Sequence, residues 1–183
     1  KYPEKKHPIC FFMGGNGEIA AQGAINVIRN GSLAEYIHKG GNPPMMVMTI
    51  QHTNANWNAN MIHEGVTHGM ATYPVDEKKV YMSGISGGGF GCWAYAVDHA
   101  SILTAIVPIS GGGNSGKACN LNGVAIKAFT NQSDGIVAPT NTINMITAVN
   151  ACPRSIGSAE LLVFPDAGHD CWRRVYNQNH GDW

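Results

Sequence analysis

The sequence predicts an α/β fold: a three-layer sandwich on a mostly parallel sheet of about six strands flanked by helices. Three observations carry this reading. Short apolar runs recur, segments long enough for crossover helices separate them, and residues able to do chemistry cluster directly after the runs. The runs are ICFFM (9–13), MMVMTIQ (45–51), VYMSGI (80–85), TAIVPIS (104–110), AIKAFTN (125–131) and ELLVFP (160–165). They are nearly continuously apolar rather than alternating, as strands buried on both faces of a parallel sheet are. Helices are expected over 20–37, 59–73, 88–99 and 139–151, giving right-handed crossovers between neighbouring strands. No repeat, linker or low-complexity stretch interrupts the pattern, so residues 1–183 are expected to form one domain.

Composition narrows the function classes. Twelve basic and twelve acidic residues cancel, with no basic cluster longer than EKK or RR. That argues against nucleic acid or an anionic membrane as the main partner. No apolar run approaches the roughly 20 residues of a membrane span. Charged residues make up 13% of the chain, about half the usual ~25%, and Asn, Gly and Thr carry the polar surface instead. This pattern, in a chain that starts at Lys1 without methionine or a signal-peptide pattern, suggests a mature or trimmed protein that is secreted or periplasmic. Of five cysteines, Cys10 and Cys92 sit in apolar runs and read as buried thiols. Cys119 and Cys152 lie near the ends of neighbouring elements and are the candidate disulfide in an oxidising compartment.

In an open parallel sheet, ligands bind beyond the carboxyl ends of the strands. The third run ends in Gly84-Ile85-Ser86-Gly87-Gly88, a G-x-S-x-G turn followed by the apolar helical stretch FGCWAYAV. The spacing has a steric cause. A serine held on a sharp strand-to-helix turn needs small residues two before and two after it, or their Cβ atoms collide across the turn. Ser83 lies inside the strand run and lacks those flanking glycines.

A serine nucleophile needs a general base. His169, in PDAGHDCW, follows the last run, where a loop can bring it over Ser86; His7, His38, His99 and His180 are expected at the surface. The imidazole in turn needs an orienting carboxylate. Asp134 follows the fifth run and gives the chain order Ser, Asp, His. Asp166 and Asp170 flank His169 too closely to reach its Nδ1 while the ring faces Ser86, and the competing role for Asp134 is an Asx turn. An oxyanion hole needs two backbone donors, assigned to Gly87 and to Asn16, with Gly15 the fallback for the second. Gln51 opens the polar cluster QHTNANW after the second run and is expected to reach substrate. HEGVTH (63–68) is one residue too long for a zinc-binding H-E-x-x-H: at i, i+5 the imidazoles lie roughly 140° apart around a helix. No metal or organic cofactor is implied.

The segments FFMGGNGE, KKVYMSGISGGGFGCW, AFTNQSDGIVAP and FPDAGHDCWRRVYN together resemble the α/β-hydrolase-fold serine esterases of the feruloyl esterase, polyhydroxybutyrate depolymerase and phospholipase/carboxylesterase type. The resemblance implies Ser86, Asp134 and His169 as nucleophile, acid and base, and Asn16 and Gly87 as oxyanion donors. It also implies that Trp57 and Trp172 line the acyl or sugar side of the cleft, although packing roles for both fit equally. It departs at Gly14, where the family's turn carries histidine. The chain begins at what looks like the third strand of the usual fold, which implies a minimal form with little or no lid and an open cleft. The function expected is hydrolysis of carboxylic esters, with feruloyl or acetyl esters on polysaccharide as the leading class. The alternatives are an acyltransferase or peptidase with the same residues, and a non-catalytic binding protein of degenerate hydrolase fold.

Overall fold

A computed structural model describes residues 5–19, 30–51 and 56–176. Six strands, β1 (His7–Met13), β2 (Met46–Ile50), β3 (Val75–Ile85), β4 (Ala105–Ile109), β5 (Ala125–Ser133) and β6 (Glu160–Ala167), form one sheet. Its order is β2-β1-β3-β4-β5-β6, and every neighbouring pair is parallel. The helices are α1 (Leu33–His38), α2 (Ala59–Thr72), α3 (Gly87–Asp98), α4 (Thr140–Asn150) and α5 (Trp172–Val175).

The near-continuous apolar runs of the inner strands do line two cores, whereas the edge strands depart from the expectation: β2 is half-buried along its length and β6 buries only Phe164. Ile9, Phe11 and Met13 of β1 face one side with Met82, Ile106 and Ala128, and α2, α3 and α4 cover them with Ile62, Trp93, Tyr95 and Met145. Cys10 and Phe12 face the other side with Ile85, Ile109 and Phe129, under Leu33, Trp172 and Val175. Successive strand side chains point to opposite faces, so a strand buried on both faces reads as unbroken apolar sequence.

Two expectations change. β3 starts at Val75 rather than residue 80, because the polar stretch Asp76–Lys79 belongs to the strand, and a register shift between His7 and Ile9 accommodates it. Of the helix expected over 20–37, residues 20–29 lie outside the described residues, and the remainder forms α1. A 3-10 segment, Ser115–Leu121, carries Cys119, whose disulfide to Cys152 ties it to the end of α4.

The strand order places the site. From β1 the chain moves outward to β2, then returns past β1 to β3 and continues in the other direction. The carboxyl ends of β1 and β3 therefore flank the switch point, where loops diverge and leave a crevice. Gly14–Asn16 leave one strand there and Ser86 leaves the other.

Candidate active site

Ser86 occupies a backbone conformation that L side chains rarely adopt, φ 53° and ψ −120°. Strain of this kind costs on the order of 1–3 kcal/mol and persists only where the surroundings impose it. Here they do. A Cβ at Gly84 would lie 2.2 Å from Gly88 O, and one at Gly88 would lie 2.1 Å from Met13 O. The two glycines allow the turn to close, and Ser86 N–H donates to Ile109 O at 2.9 Å to hold it against β4. α3 begins at the next residue, so its positive dipole end and free N–H groups point toward the hydroxyl.

His169 and Asp134 arrive from the loops after β6 and β5. His169 Nε2 lies 2.8 Å from Ser86 Oγ, and its Nδ1 lies 2.7 Å from Asp134 Oδ2. With Nδ1–H donating to the carboxylate, Nε2 is left as the acceptor for the serine proton. The Asp134 side chain is fully buried and that of His169 is mostly so. Asp134 Oδ1 also accepts the N–H groups of Ile136 and Val137, each at 2.9 Å. One carboxylate thus makes the Asx turn with one oxygen and faces His169 with the other; the two roles coexist. Asp166 and Asp170 are instead engaged by Arg174 and Arg173, both at 2.8 Å.

The turn after β1 packs on the serine. A Cβ at Gly15 would lie 3.1 Å from Ser86 Cβ, and Asn16 Oδ1 and N lie 2.3 and 3.5 Å from where a Gly87 Cβ would be. The N–H groups assigned to the oxyanion thus sit on adjoining segments beside the nucleophile. A cleft of about 720 Å³ opens from Ser86 and Gly87 and is lined by Asn16, Trp57, Phe90, Ile136 and, at its polar end, Lys117.

The remaining assignments divide. Trp57 lines the cleft, and its indole N–H donates to Gly14 O at 3.0 Å. Trp172 does not line it: this residue is buried in the second core, meets His169 edge-on at 5.0 Å, and donates to Asn30 O. Its bulk fixes the imidazole rather than a ligand, because α5 turns inward directly after His169. Gln51 also lies away from the cleft, on a separate small cavity beside Glu18 and Trp57, with Nε2 3.5 Å from Glu18 O. The rest of its cluster, residues 52–55, lies outside the described residues. Among the described residues no group of His, Cys, Asp or Glu is placed to hold a metal; His63 pairs with the Tyr95 hydroxyl and stacks on His99.

Other residues of the site escaped the sequence reading. Phe90 and Ile136, both exposed on the cleft, come from α3 and the Asp134 loop and show no pattern linking them. Ser110 has a positive φ of 47° and is fully buried; its hydroxyl meets the Cys171 thiol at 3.2 Å and donates to His169 O at 3.3 Å. It ties the histidine loop to the end of β4.

No protein-family model matches the chain, and no curated protein sequence does. Solved structures do. A thermostable esterase superposes with a TM-score of 0.80 at 20% identity, over 99% of this chain and 55% of its own. A feruloyl esterase module from Clostridium thermocellum, solved with sinapinate, gives 0.71 at 20% identity over 95% of this chain and 76% of its own. The acylaminoacyl peptidase of Pyrococcus horikoshii gives 0.65 at 10% identity over 94% of this chain and 35% of its own. The chain thus spans little more than half the length of the thermostable esterase. At these identities the likeness is one of fold, and the parallel sheet, the serine turn and the absence of a long lid among the described residues agree with it. The chain has the α/β-hydrolase fold.

Proposed function

We propose that this protein is a serine hydrolase that cleaves carboxylic esters through an acyl-enzyme on Ser86. The observation that carries the reading is the hydrogen-bonded line Ser86 Oγ–His169 Nε2, His169 Nδ1–Asp134 Oδ2, at 2.8 and 2.7 Å. Ser86 Oγ attacks the ester carbonyl while His169 Nε2 takes its proton, and buried Asp134 stabilises the imidazolium. Gly87 and Asn16 N–H groups receive the charge on the carbonyl oxygen. His169 returns the proton to the leaving alcohol, then activates a water that releases the acid.

Our reading of the substrate is a bulky or polysaccharide-linked ester, feruloyl or acetyl. An open cleft with Trp57, Phe90 and Ile136 along it supports this, as does the presence of feruloyl esterases among proteins of the same fold. The Cys119–Cys152 disulfide supports a secreted or periplasmic location. The described residues contain no helix long and apolar enough to cross a membrane.

The test is hydrolysis of p-nitrophenyl acetate by the wild type beside Ser86→Ala. Turnover is expected to fall by at least ~10³-fold in the variant. Equal rates would remove the catalytic reading and leave a binding protein. Adding an alcohol or amine acceptor separates transfer from hydrolysis, and feruloylated and acetylated xylan fragments then rank the acyl groups.

A further inference from the structure

Glu18 and Asp134 are the two buried carboxyls among the described residues, and the mechanism above uses only Asp134. Glu18 is 4% exposed; the Ser32 hydroxyl lies beside its carboxyl, and its Oε1 has no hydrogen-bond partner among the described residues. Leaving a buried acceptor unsatisfied costs roughly 1–3 kcal/mol, so stability alone gives a poor account of a carboxyl here.

Its other oxygen is fully committed. Oε2 accepts the N–H of Gly15 at 2.7 Å, while the N–H of Glu18 donates back to Gly15 O at 3.0 Å. The two bonds hold the peptide groups on both sides of Gly15. The second of those groups joins Gly15 to Asn16. A peptide is planar and trans, so its C=O and N–H point in opposite directions. The backbone bond from Glu18 N–H to Gly15 O, which needs no particular side chain at 18, therefore fixes the direction in which Asn16 presents its N–H. The carboxyl bond to Gly15 N–H acts one peptide earlier and holds Gly15 where that backbone bond closes. The same turn rests on the nucleophile, 3.1 Å from Ser86 Cβ at the Gly15 Cβ position. Gly14 belongs to the arrangement as well, because a Cβ there would meet Glu18 Oε2 at 2.6 Å and Glu18 Cβ at 2.9 Å.

We propose that Glu18 is the positioning residue of the oxyanion turn: its clamp on Gly15 aims the Asn16 N–H at the substrate oxygen, and Gly14 leaves the room the carboxyl needs. The inference rests on the serine-hydrolase reading and deepens it. Burial pushes the Glu18 carboxyl up to about 7, so a neutral amide is a fair replacement for it.

The experiment compares Glu18→Ala, Glu18→Gln and Gly14→Ala with the wild type on p-nitrophenyl acetate, with inhibition by phenylboronic acid, an oxyanion mimic, measured in parallel. Glu18→Ala is expected to lower kcat ~10–100-fold with KM within about twofold, and to weaken the boronate by a similar factor. Glu18→Gln, whose amide oxygen can still accept from Gly15, is expected to recover most of that loss. Gly14→Ala keeps the carboxyl but displaces it, and is expected to behave like Glu18→Ala; it carries the test if the latter does not fold. Wild-type kcat in Glu18→Ala and Gly14→Ala, or an equal loss in Glu18→Gln and Glu18→Ala, overturns the proposal. The amide resonances of Gly15 and Asn16 in a ¹⁵N NMR spectrum decide the clamp independently of turnover. They are expected to move in Glu18→Ala and to stay near wild type in Glu18→Gln; no change in either variant overturns it. Absence of Ser86-dependent turnover in the wild type defeats the hydrolase reading instead, and leaves those resonances to decide the geometry.

Discussion

Asp134 divides its two oxygens between the Ile136–Val137 turn and His169. An asparagine has only one acceptor oxygen, so Asp134→Asn can keep the turn or the imidazole but not both. With the turn kept, the amide NH₂ faces Nδ1 and forces the wrong tautomer. Activity is expected to fall by up to ~10⁴-fold, with the unfolding midpoint close to wild type; retained activity in an ester assay would remove Asp134 from the mechanism. Glu18 makes a second residue-scale prediction, on stability. Its folded-state carboxyl titrates at about 7 rather than 4.5, with desolvation the main cause, opposed by Gly15 N–H and the Ser32 hydroxyl. The native state therefore holds this proton more tightly than the unfolded chain. The contribution is complete below about pH 4.5 and is lost as pH rises through about 7. Between pH 5 and 8 the wild type should lose about 2.5 kcal/mol of stability relative to Glu18→Gln. Urea unfolding at both pH values measures it, and parallel trends in the two proteins would contradict it.

The serine turn is a steric object shared by β3 and α3. Gly84 and Gly88 face backbone atoms of Gly88 and Met13 at 2.2 and 2.1 Å from their missing Cβ positions, and backbone cannot move aside as a side chain can. Gly84→Ala or Gly88→Ala should destabilise by about 3 kcal/mol or more, the upper end of overpacking. Each should also lower kcat, because Ser86 can no longer hold its φ of 53°. Denaturant unfolding with an ester assay checks both effects. On the opposite side, α5 places Trp172 edge-on to His169 at 5.0 Å. A four-residue helix has no periodicity to announce it, yet it decides that this tryptophan supports the imidazole instead of meeting a ligand.

Across the whole molecule, the Cys119–Cys152 disulfide closes a loop of 33 residues between the 3-10 segment and the end of α4. By loop-closure entropy its loss should cost about 3–4 kcal/mol. Comparing urea midpoints with and without dithiothreitol, beside a Cys119→Ser/Cys152→Ser variant insensitive to the reductant, measures it. Asp134 lies inside the closed loop, but the hydrogen bonds that join it to His169 and His169 to Ser86 involve neither cysteine, so reduction should leave the three paired. An unchanged midpoint would show that the denatured chain gains nothing from the lost constraint.

Much of this was written locally. Unbroken apolar runs announced the inner strands buried on both faces, though the equally apolar run of β6 is mostly exposed at the sheet edge. G-x-S-x-G announced a strained serine. Such signals are legible because burial and short-range sterics act on neighbours in the chain. The order of Ser86, Asp134 and His169 was legible for the same reason: each follows a strand run. The start of β3 at Val75 was not, because Asp76 to Lys79 fall in the irregularity between the paired Val75 and Val80, largely exposed, and leave no hydrophobic signal. Nor could the sequence tell that Trp172 and Gln51 miss the cleft while Phe90 and Ile136 line it. The sequence by itself determined the alternation of elements and the chemical identity of the residues that end the strands. Only the tertiary structure decided the switch between β1 and β3, the closure of His169 onto Ser86 and the clamp of Glu18 on Gly15. Those depend on contacts between segments far apart in the chain or on the path of a turn in space, and neither is encoded in the spacing of residues.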